Sequence, residues 1–139
     1  MNDMTDCIFC KIVRKEIPAT VVHENERAIV FLDIKPTNPG HLLIVPKKHF
    51  TDYASTDEDA LRDIAVAAKR MGRAQMEALG APGFNIAVNN GRAANQLVDH
   101  VHVHVIPRFE GDGLEPWHGN PYAEGEMQAV ADKLKTALS

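Results

Sequence analysis

Short apolar runs divide the chain into strand-like and helix-like segments. Residues 20–24 (TVVHE) and 27–34 (RAIVFLDI) are rich in β-branched side chains, and a polar Asn-Glu pair separates them. Two such runs joined by so short a polar connection predict a β-hairpin. Turn-forming residues at 35–40 (KPTNPG) then lead into a third apolar run at 41–50 (HLLIVPKKHF), which predicts another strand.

Three other segments follow helical spacing. The longest, residues 57–79, carries apolar side chains at intervals of three and four residues, as an amphipathic helix does. We expect Ser55 and Glu58 to form a capping box where it begins. Residues 8–16 predict a short helix that ends before a proline, and a last helix is expected from about 125 to 137.

Two more strands are expected in the second half of the chain. Residues 84–91 (FNIAVNNG) alternate between apolar and polar side chains, as a half-buried strand does. The next strand, residues 100–106, has histidine at every second position and valine between them: His100, His102 and His104. Alternate residues of a strand share one face, so the three imidazoles should lie together, with Pro107 at the strand end or at an edge position.

The element order α-β-β-β-α-β-β-α predicts an α+β fold, with an antiparallel sheet of about five strands, two main helices and a C-terminal helix. A chain of 139 residues without repeats or Gly/Ser-rich linkers fits one domain covering residues 1–139.

Charge and composition narrow the class of protein. The formal net charge of −4 provides no basic surface for sequence-independent binding to nucleic acid or to an anionic membrane. No basic segment followed by an apolar run is present near residue 1, and no run of 18 apolar residues occurs anywhere. We therefore expect a cytoplasmic protein without nucleic-acid or membrane partners.

Three imidazoles on one strand face permit two kinds of chemistry. A neutral imidazole can attack an electrophile while its neighbours stabilise developing negative charge. Histidines spaced His-x-His also bind zinc and similar ions. A third interpretation is that the three side chains are simply solvated on an exposed strand face.

The histidine pattern resembles the His-φ-His-φ-His-φ-φ motif, with φ apolar, of the histidine triad (HIT) superfamily of nucleotide hydrolases and transferases. Four other stretches resemble its Hint and bacterial branches in the same order: residues 9–19, 31–49, 85–91 and 98–108. The resemblance covers residues 7–108, the expected core, whereas the tail at 109–139 matches more loosely. It implies the HIT-like fold and a homodimer.

The resemblance also implies roles for particular histidines. His102 would attack the α-phosphorus of a nucleotide and form a nucleotidyl-imidazole intermediate that water later hydrolyses. His104 would lie beside the phosphate and the leaving group. His41 matches a fourth histidine of the family, and strand parity with Leu43 and Val45 allows it to face the triad.

Four further residues match substrate-binding positions of the family. Asp33 would accept hydrogen bonds from ribose hydroxyls, and Ile34 would line the base pocket. Asn89 and Gln96 would hold the phosphate region. Asp33 and Asn89 also have a simpler interpretation, since both residue types are common in turns.

One departure from the Hint pattern concerns the substrate. Where Hint proteins carry Gly-Gln-Ser before the triad, this chain has Asn95-Gln96-Leu97 and lacks the serine hydroxyl. The Ile-Pro-Arg sequence at 106–108 instead resembles the dinucleoside polyphosphate hydrolase branch. Both phosphoramidates and dinucleoside polyphosphates therefore remain candidate substrates.

Two cysteines, Cys7 and Cys10, stand three residues apart, and on a helix that spacing brings both thiols to the same side, where they can serve one tetrahedral zinc ion. Related HIT proteins complete such a site with a histidine after the third strand and the first triad histidine. Here these residues are His49 and His100. The alternatives are two small buried side chains or a thiol-disulfide pair, although no strand precedes Cys7 as in thioredoxin-like motifs.

The leading hypothesis is a homodimeric hydrolase that cleaves the α-phosphate linkage of a purine nucleotide derivative by covalent histidine catalysis. It needs no organic cofactor and carries a structural Zn²⁺. A rival is a nucleotide-binding or regulatory module without catalysis on the same fold. A third hypothesis, a metal-dependent enzyme with all three triad histidines as ligands, lacks an acidic ligand in the same strand.

Overall fold

The computed structural model describes residues 6–139 and contains three α-helices and five strands within that range. In chain order these are α1 (Ile8–Val13), β1 (Val21–Glu24), β2 (Ala28–Leu32), β3 (Leu42–Pro46), α2 (Glu58–Leu79), β4 (Gly83–Val88), β5 (Val103–Arg108) and α3 (Glu126–Leu138). A short 3₁₀ turn, Arg92–Ala94, lies between β4 and β5. The α+β prediction and its element order are therefore confirmed.

The five strands form one antiparallel sheet in the order β1-β2-β3-β5-β4. Strand β5 lies between β3 and β4, where Leu43 and Ala87 flank His104. Strand β3 pairs with β5 only as far as Val105, so Pro107 pairs with β4 alone. Because proline has no N–H to donate, this position near the end of an interior strand suits it: Pro107 lies one residue before the last residue of β5 and is paired on one side.

Each face of the sheet covers its own apolar cluster. Helix α2 packs on the face that carries Val30, Ile44, Val103 and Val105. The other face packs against α1 through side chains that include Phe9, Ile29, Phe31, Leu43 and Val45. Since Val103 and Val105 of β5 point toward α2, His104, which stands between them on the strand, points toward the α1 side.

The histidine strand begins later than the sequence predicts. Strand β5 begins at Val103, so His100 and His102 precede it instead of forming its first residues. The backbone of this stretch has other partners, because Val101 N donates to the carbonyl of Phe50 and the carbonyl of His100 binds the ring of His102. These bonds replace a regular ladder with a neighbouring strand.

Helix α1 is shorter than predicted. It ends at Val13 and not at Glu16, because Lys15 adopts a left-handed conformation with φ of 65°. The N–H of Glu16 bonds to the carbonyl of Lys11, and that of Lys15 to the carbonyl of Ile12. This pair of bonds is the Schellman ending of a helix, formed here without the glycine that usually provides it.

The start of α2 also differs from the expectation. Asp57 is its N-cap and accepts a hydrogen bond from Ala60 N, so the predicted capping box of Ser55 and Glu58 is wrong. Ser55 instead exchanges hydrogen bonds with Asp52 in the preceding turn. Among residues 6–139, no helix has the length and hydropathy required to cross a membrane.

Candidate active site and metal cluster

The ring of His102 has one nitrogen engaged by the backbone and one left available. Its Nδ1 lies 2.8 Å from the carbonyl oxygen of His100. A carbonyl oxygen only accepts, so Nδ1 carries the proton and Nε2 carries the lone pair. Burial lowers the pKa of His102, which keeps the ring neutral and Nε2 nucleophilic near neutral pH.

His104 and His41 form a polarised pair beside it. The backbone N–H of Thr37 donates to His41 Nδ1 at 3.0 Å, so the proton of a neutral His41 lies on Nε2. That N–H faces His104 Nδ1 at 2.9 Å. His104 must then accept at Nδ1 and carry its own proton on Nε2. The expectation that His41 faces the triad is confirmed by this contact with His104.

The charge state of this pair follows from its surroundings. Burial lowers the pKa of His104 to about 4, with smaller contributions from repulsion by His102 and His41. Burial also lowers the pKa of His41, although the carboxylate of Asp33 opposes that shift. Both rings are therefore neutral at pH 7, and His104 Nε2–H is a hydrogen-bond donor rather than an acid.

Asp33 and Ile34 lie directly after β2, next to the histidine pair. Asp33 Oδ1 accepts from Lys35 N at 2.8 Å, while Oδ2 lies 3.7 Å from His41 Nε2. The carboxylate thus shapes the turn and also faces the site. Ile34 is 92 % exposed, which leaves its side chain open to a ligand.

The predicted metal ligands Cys7, Cys10, His49 and His100 are brought together on the other side of His102. Their ligand atoms all lie within 4.8 Å of one another. Cys7 Sγ and Cys10 Sγ lie 3.4 and 3.5 Å from His100 Nδ1, and Cys10 Sγ lies 3.3 Å from His49 Nδ1. Zinc bonds of about 2.3 Å to sulfur and about 2.0 Å to nitrogen require ligand separations of roughly 3.5 Å in a tetrahedron. The donor set and its spacing fit zinc.

The protonation of His100 also suits a metal ligand. Its Nε2 lies 2.8 Å from the carbonyl of Pro46 and must donate there, which leaves the Nδ1 lone pair directed at the two thiols. The side chain is fully buried, and burial lowers its pKa to about 4, so the ring is neutral. Metal-bound histidines commonly hold a carbonyl through their second nitrogen in this way.

A second group of potential ligands, Asp33, His41 and His104, is less suited to a metal. Because Thr37 N–H occupies His41 Nδ1, the other nitrogen of His41 keeps its proton and has no lone pair to offer. Likewise, His100 Nδ1 faces the thiols and His102 Nδ1 faces a carbonyl. The three triad rings therefore do not share one metal ion, contrary to the third hypothesis.

Comparison with known proteins places this arrangement in a family. The HIT domain matches residues 14–111 of the chain. The chain belongs to the HIT family. An adenosine 5'-monophosphoramidase of Schizosaccharomyces pombe is 37 % identical over 134 residues, 95 % of this chain and 98 % of that protein. An adenylylsulfatase of Arabidopsis thaliana is 38 % identical over 109 residues, 78 % of this chain and 55 % of that protein.

Solved HIT structures share the fold. The protein SMU.412c of Streptococcus mutans superposes with a TM-score of 0.91 at 32 % identity, covering 99 % of this chain and 88 % of that one. A zinc-bound histidine triad family protein of Mycobacterium smegmatis has a TM-score of 0.78 at 37 % identity, covering 97 % and 99 %. The predicted HIT-like fold is thus confirmed.

Two predicted phosphate-binding residues of this HIT protein contact its own backbone. Gln96 is buried, its Oε1 accepts from Gly91 N, and its Nε2 donates to the carbonyls of Thr51 and Val98. Its amide therefore shapes the loop before the triad. Asn89 Nδ2 makes a long contact of 3.4 Å to the carbonyl of Asn95. Contact of either side chain with a phosphate stays a prediction.

Sequence patterns do not reveal two other contributors to the HIT site. The ring of Phe9 packs edge-on against His100 and His102, with centroid distances of 5.9 and 5.0 Å, and thereby covers the triad on the α1 side. Thr37 acts through its backbone N–H, which any residue except proline supplies. Neither role depends on a distinctive side-chain chemistry at a recognisable spacing.

Proposed function

We propose that this HIT protein is a nucleotide hydrolase that cleaves the α-phosphate linkage of a purine nucleotide derivative through a covalent intermediate on His102. The observation that carries the proposal is the hydrogen bond from His102 Nδ1 to the carbonyl of His100. It leaves Nε2 as an unprotonated nucleophile on a ring held in one orientation.

The proposed reaction consists of two successive displacements at the α-phosphorus. In the first, the lone pair of His102 Nε2 forms a bond to the α-phosphorus, and the leaving group departs with the electron pair of its own bond and takes up a proton from solvent. In the second, water attacks the same phosphorus and loses a proton to solvent, the electron pair of the P–Nε2 bond returns to Nε2, and the nucleoside monophosphate and the neutral imidazole are released. His104 Nε2–H donates to a phosphoryl oxygen and stabilises the charge that builds there.

Asp33 and Ile34 are placed to bind the nucleoside. We infer that the Asp33 carboxylate accepts from the ribose hydroxyls, since one of its oxygens is directed toward the site. The exposed Ile34 side chain then packs against the base. Together they place the α-phosphate near His102 and His104.

The leaving group is the least constrained part of the substrate. The similar proteins from S. pombe and A. thaliana are named as an adenosine 5'-monophosphoramidase and an adenylylsulfatase. Turnover of an adenosine phosphoramidate, a dinucleoside polyphosphate and an adenylyl sulfate, measured side by side, will identify the accepted class.

Replacing His102 with asparagine tests the chemistry directly. Turnover should fall by many orders of magnitude while AMP binding stays within a few-fold, because the nucleophile is lost and the groups that bind the nucleoside remain. Mass spectrometry of the quenched wild-type reaction should detect one nucleotidyl group on His102. If the variant keeps more than a tenth of wild-type turnover, the assignment is wrong. AMP binding without turnover or adduct in the wild type would favour the regulatory module.

We further propose that Cys7, Cys10, His49 and His100 hold a structural zinc ion, because their donor atoms have the spacing that zinc requires and the Nδ1 lone pair of His100 is directed at the thiols. When bound, zinc supplies a tie between α1 and the segment that precedes β5, and no step of the hydrolysis requires it.

We propose that the protein is a homodimer and that it is cytoplasmic. Among the strands that the structure describes, β4 is the edge strand next to β5, and its Ile86 is 53 % exposed. Pairing with a second copy would cover this edge, which supports the homodimer. Light scattering coupled to size exclusion tests the homodimer.

Two cysteines without a disulfide are compatible with a reducing compartment such as the cytoplasm.

A further inference from the structure

The carboxylate of Asp112, a partly buried residue outside the histidine cluster, joins three segments of the chain. The side chain of Asp112 is 8 % exposed. Its oxygens accept hydrogen bonds from Asn38 Nδ2, Arg108 Nε and Nη2, Phe109 N and Leu114 N. These donors, Arg108 foremost, hold the pKa of Asp112 well below its usual range, so the group is charged at any pH at which the protein works.

Asn38 connects this carboxylate to the loop that precedes β3. Its side-chain amide donates to Asp112 Oδ2 at 3.0 Å and to the carbonyl of Pro107 at 2.9 Å, so both amide hydrogens are used. The backbone carbonyl of Asn38 accepts a hydrogen bond from His41 N at 3.0 Å. The loop at 35–40 is thereby fixed to the end of β5 by a side chain.

The same loop decides which nitrogen of His41 carries the proton. Thr37 N–H donates to His41 Nδ1, and the proton on His41 Nε2 is then directed to His104 Nδ1. If the loop moved by about an ångström, the bond from Thr37 would be lost and both tautomers of His41 would become accessible. His104 would then no longer be constrained to present Nε2–H to a substrate.

We propose that Asp112 and Asn38 are positioning residues for His104, acting through the loop, Thr37 and His41. Neither side chain contacts the reacting atoms, and their effect is to fix the direction of the hydrogen bond between two imidazoles. The relevance to turnover rests on the proposed hydrolase function. The tautomers of His41 and His104, in contrast, are set in the protein without substrate and do not depend on turnover.

Long-range ¹H–¹⁵N NMR of the full chain without substrate reads the tautomer of each imidazole directly. Wild-type His41 and His104 should both show protonated Nε2 and unprotonated Nδ1. In Asp112→Asn and in Asn38→Ala, His41 should show a mixture of tautomers. The matched control is Asp63→Asn, which breaks the exposed 3.0 Å ion pair with Arg27 elsewhere on the surface and should leave both rings unchanged.

Kinetics provide the second measurement. A displaced loop should lower kcat by about tenfold to 100-fold with little change in KM, since misplacement by 1 Å can cost this much. The double variant of Asp112 and Asn38 should be no worse than the more affected single variant, because both act through one contact. Independent, additive losses would overturn the inference.

Unchanged tautomers in both variants would also overturn it, even if turnover fell, because the residues would then act only on the fold. Asn38→Ala keeps the Arg108–Asp112 ion pair, so it decides the question if Asp112→Asn does not fold. If the wild type turns over none of the substrates, the proposed function fails, whereas the tautomers still decide whether Asp112 and Asn38 position His104.

Discussion

Replacing Cys10 with serine removes one donor from the proposed zinc cluster and tests its contribution to stability. Burial raises the pKa of the Cys10 thiol to about 11, with the neighbouring Cys7 as a further cause. Without a cation the side chain is therefore a neutral thiol, and zinc would bind its thiolate with release of a proton. Serine is not among the ligands that zinc commonly uses in proteins. Zinc content should fall from about one ion per chain toward zero.

The size of the stability loss follows from binding linkage and chain length. Free zinc at about 100 to 1,000 times its dissociation constant stabilises the folded state by about 2.7 to 4.1 kcal/mol. An unfolding entropy of about 2.1 cal/mol/K per residue amounts to roughly 0.3 kcal/mol/K for 139 residues. Cys10→Ser should therefore lower Tm by about 9–14 °C, and a strong chelator should lower the wild-type Tm by a similar amount.

Calorimetry with and without chelator, combined with elemental analysis, provides the test. The chelator should have no further effect on Cys10→Ser, because that variant has already lost the ion. His118→Gln is the matched control, since this histidine has an 84 % exposed side chain and lies outside the cluster. A wild-type protein that is purified without metal, with the Tm of Cys10→Ser and no response to chelator, would refute the zinc site.

Three other predictions address the substrate, the pH dependence and the core. Asp33→Ala should weaken AMP binding by about 1.5–3 kcal/mol but weaken a deoxyribose analogue less, as measured by calorimetry; equal losses would mean that Asp33 serves only the turn. Burial lowers the pKa of His104 to about 4, from about 6.5 when unfolded. As the pH falls, the His104 imidazole of the unfolded state is therefore protonated before that of the folded state. The contribution of His104 to the free energy of unfolding should hence be complete above about pH 6.5 and should decrease as the pH falls toward 4. In urea titrations, His104→Gln should reduce this dependence of the free energy of unfolding on pH. Gly72→Ala should destabilise the fold by about 1–2 kcal/mol in the same titrations despite its gain in helix propensity, because the new Cβ would lie 2.3 Å from Phe84 Cε2. Phe84→Leu should relieve this clash, and a more stable Gly72→Ala would contradict the reasoning.

The sequence predicts the fold and the composition of the site because both depend on periodicity. Residues two apart on a strand must share a face, which is why His41 could be expected beside the triad and is found 2.9 Å from His104. The spacing of three between the cysteines similarly predicts neighbouring thiols, although Cys7 is the N-cap of α1, where its Sγ accepts from Cys10 N, and not a residue of the helix itself. These relations are local and survive errors of a few residues in the element boundaries.

The roles of Gln96 and Asp112 could not be predicted in this way. The amide of Gln96 is used by the carbonyls of Thr51 and Val98, and Asp112 accepts a bond from Asn38, 74 residues away. Such contacts depend on how distant segments meet, which no spacing within one segment reports. The late start of β5 has the same origin, since Val101 bonds to Phe50.

The three triad histidines show why residue type and spacing leave chemistry undecided. A neutral imidazole donates from one nitrogen and accepts at the other, so its partner determines which atom is available. His100 donates to Pro46 and offers Nδ1 to the thiols, whereas His102 donates to the carbonyl of His100 and keeps Nε2 open. One residue thus contributes its ring to the proposed zinc site and its carbonyl to the proposed nucleophile. Loss of the metal should reach His102 through that carbonyl and through Phe9 of α1, and it removes no atom of the nucleophile, which is why we expect Cys10→Ser to reduce turnover far less than His102→Asn.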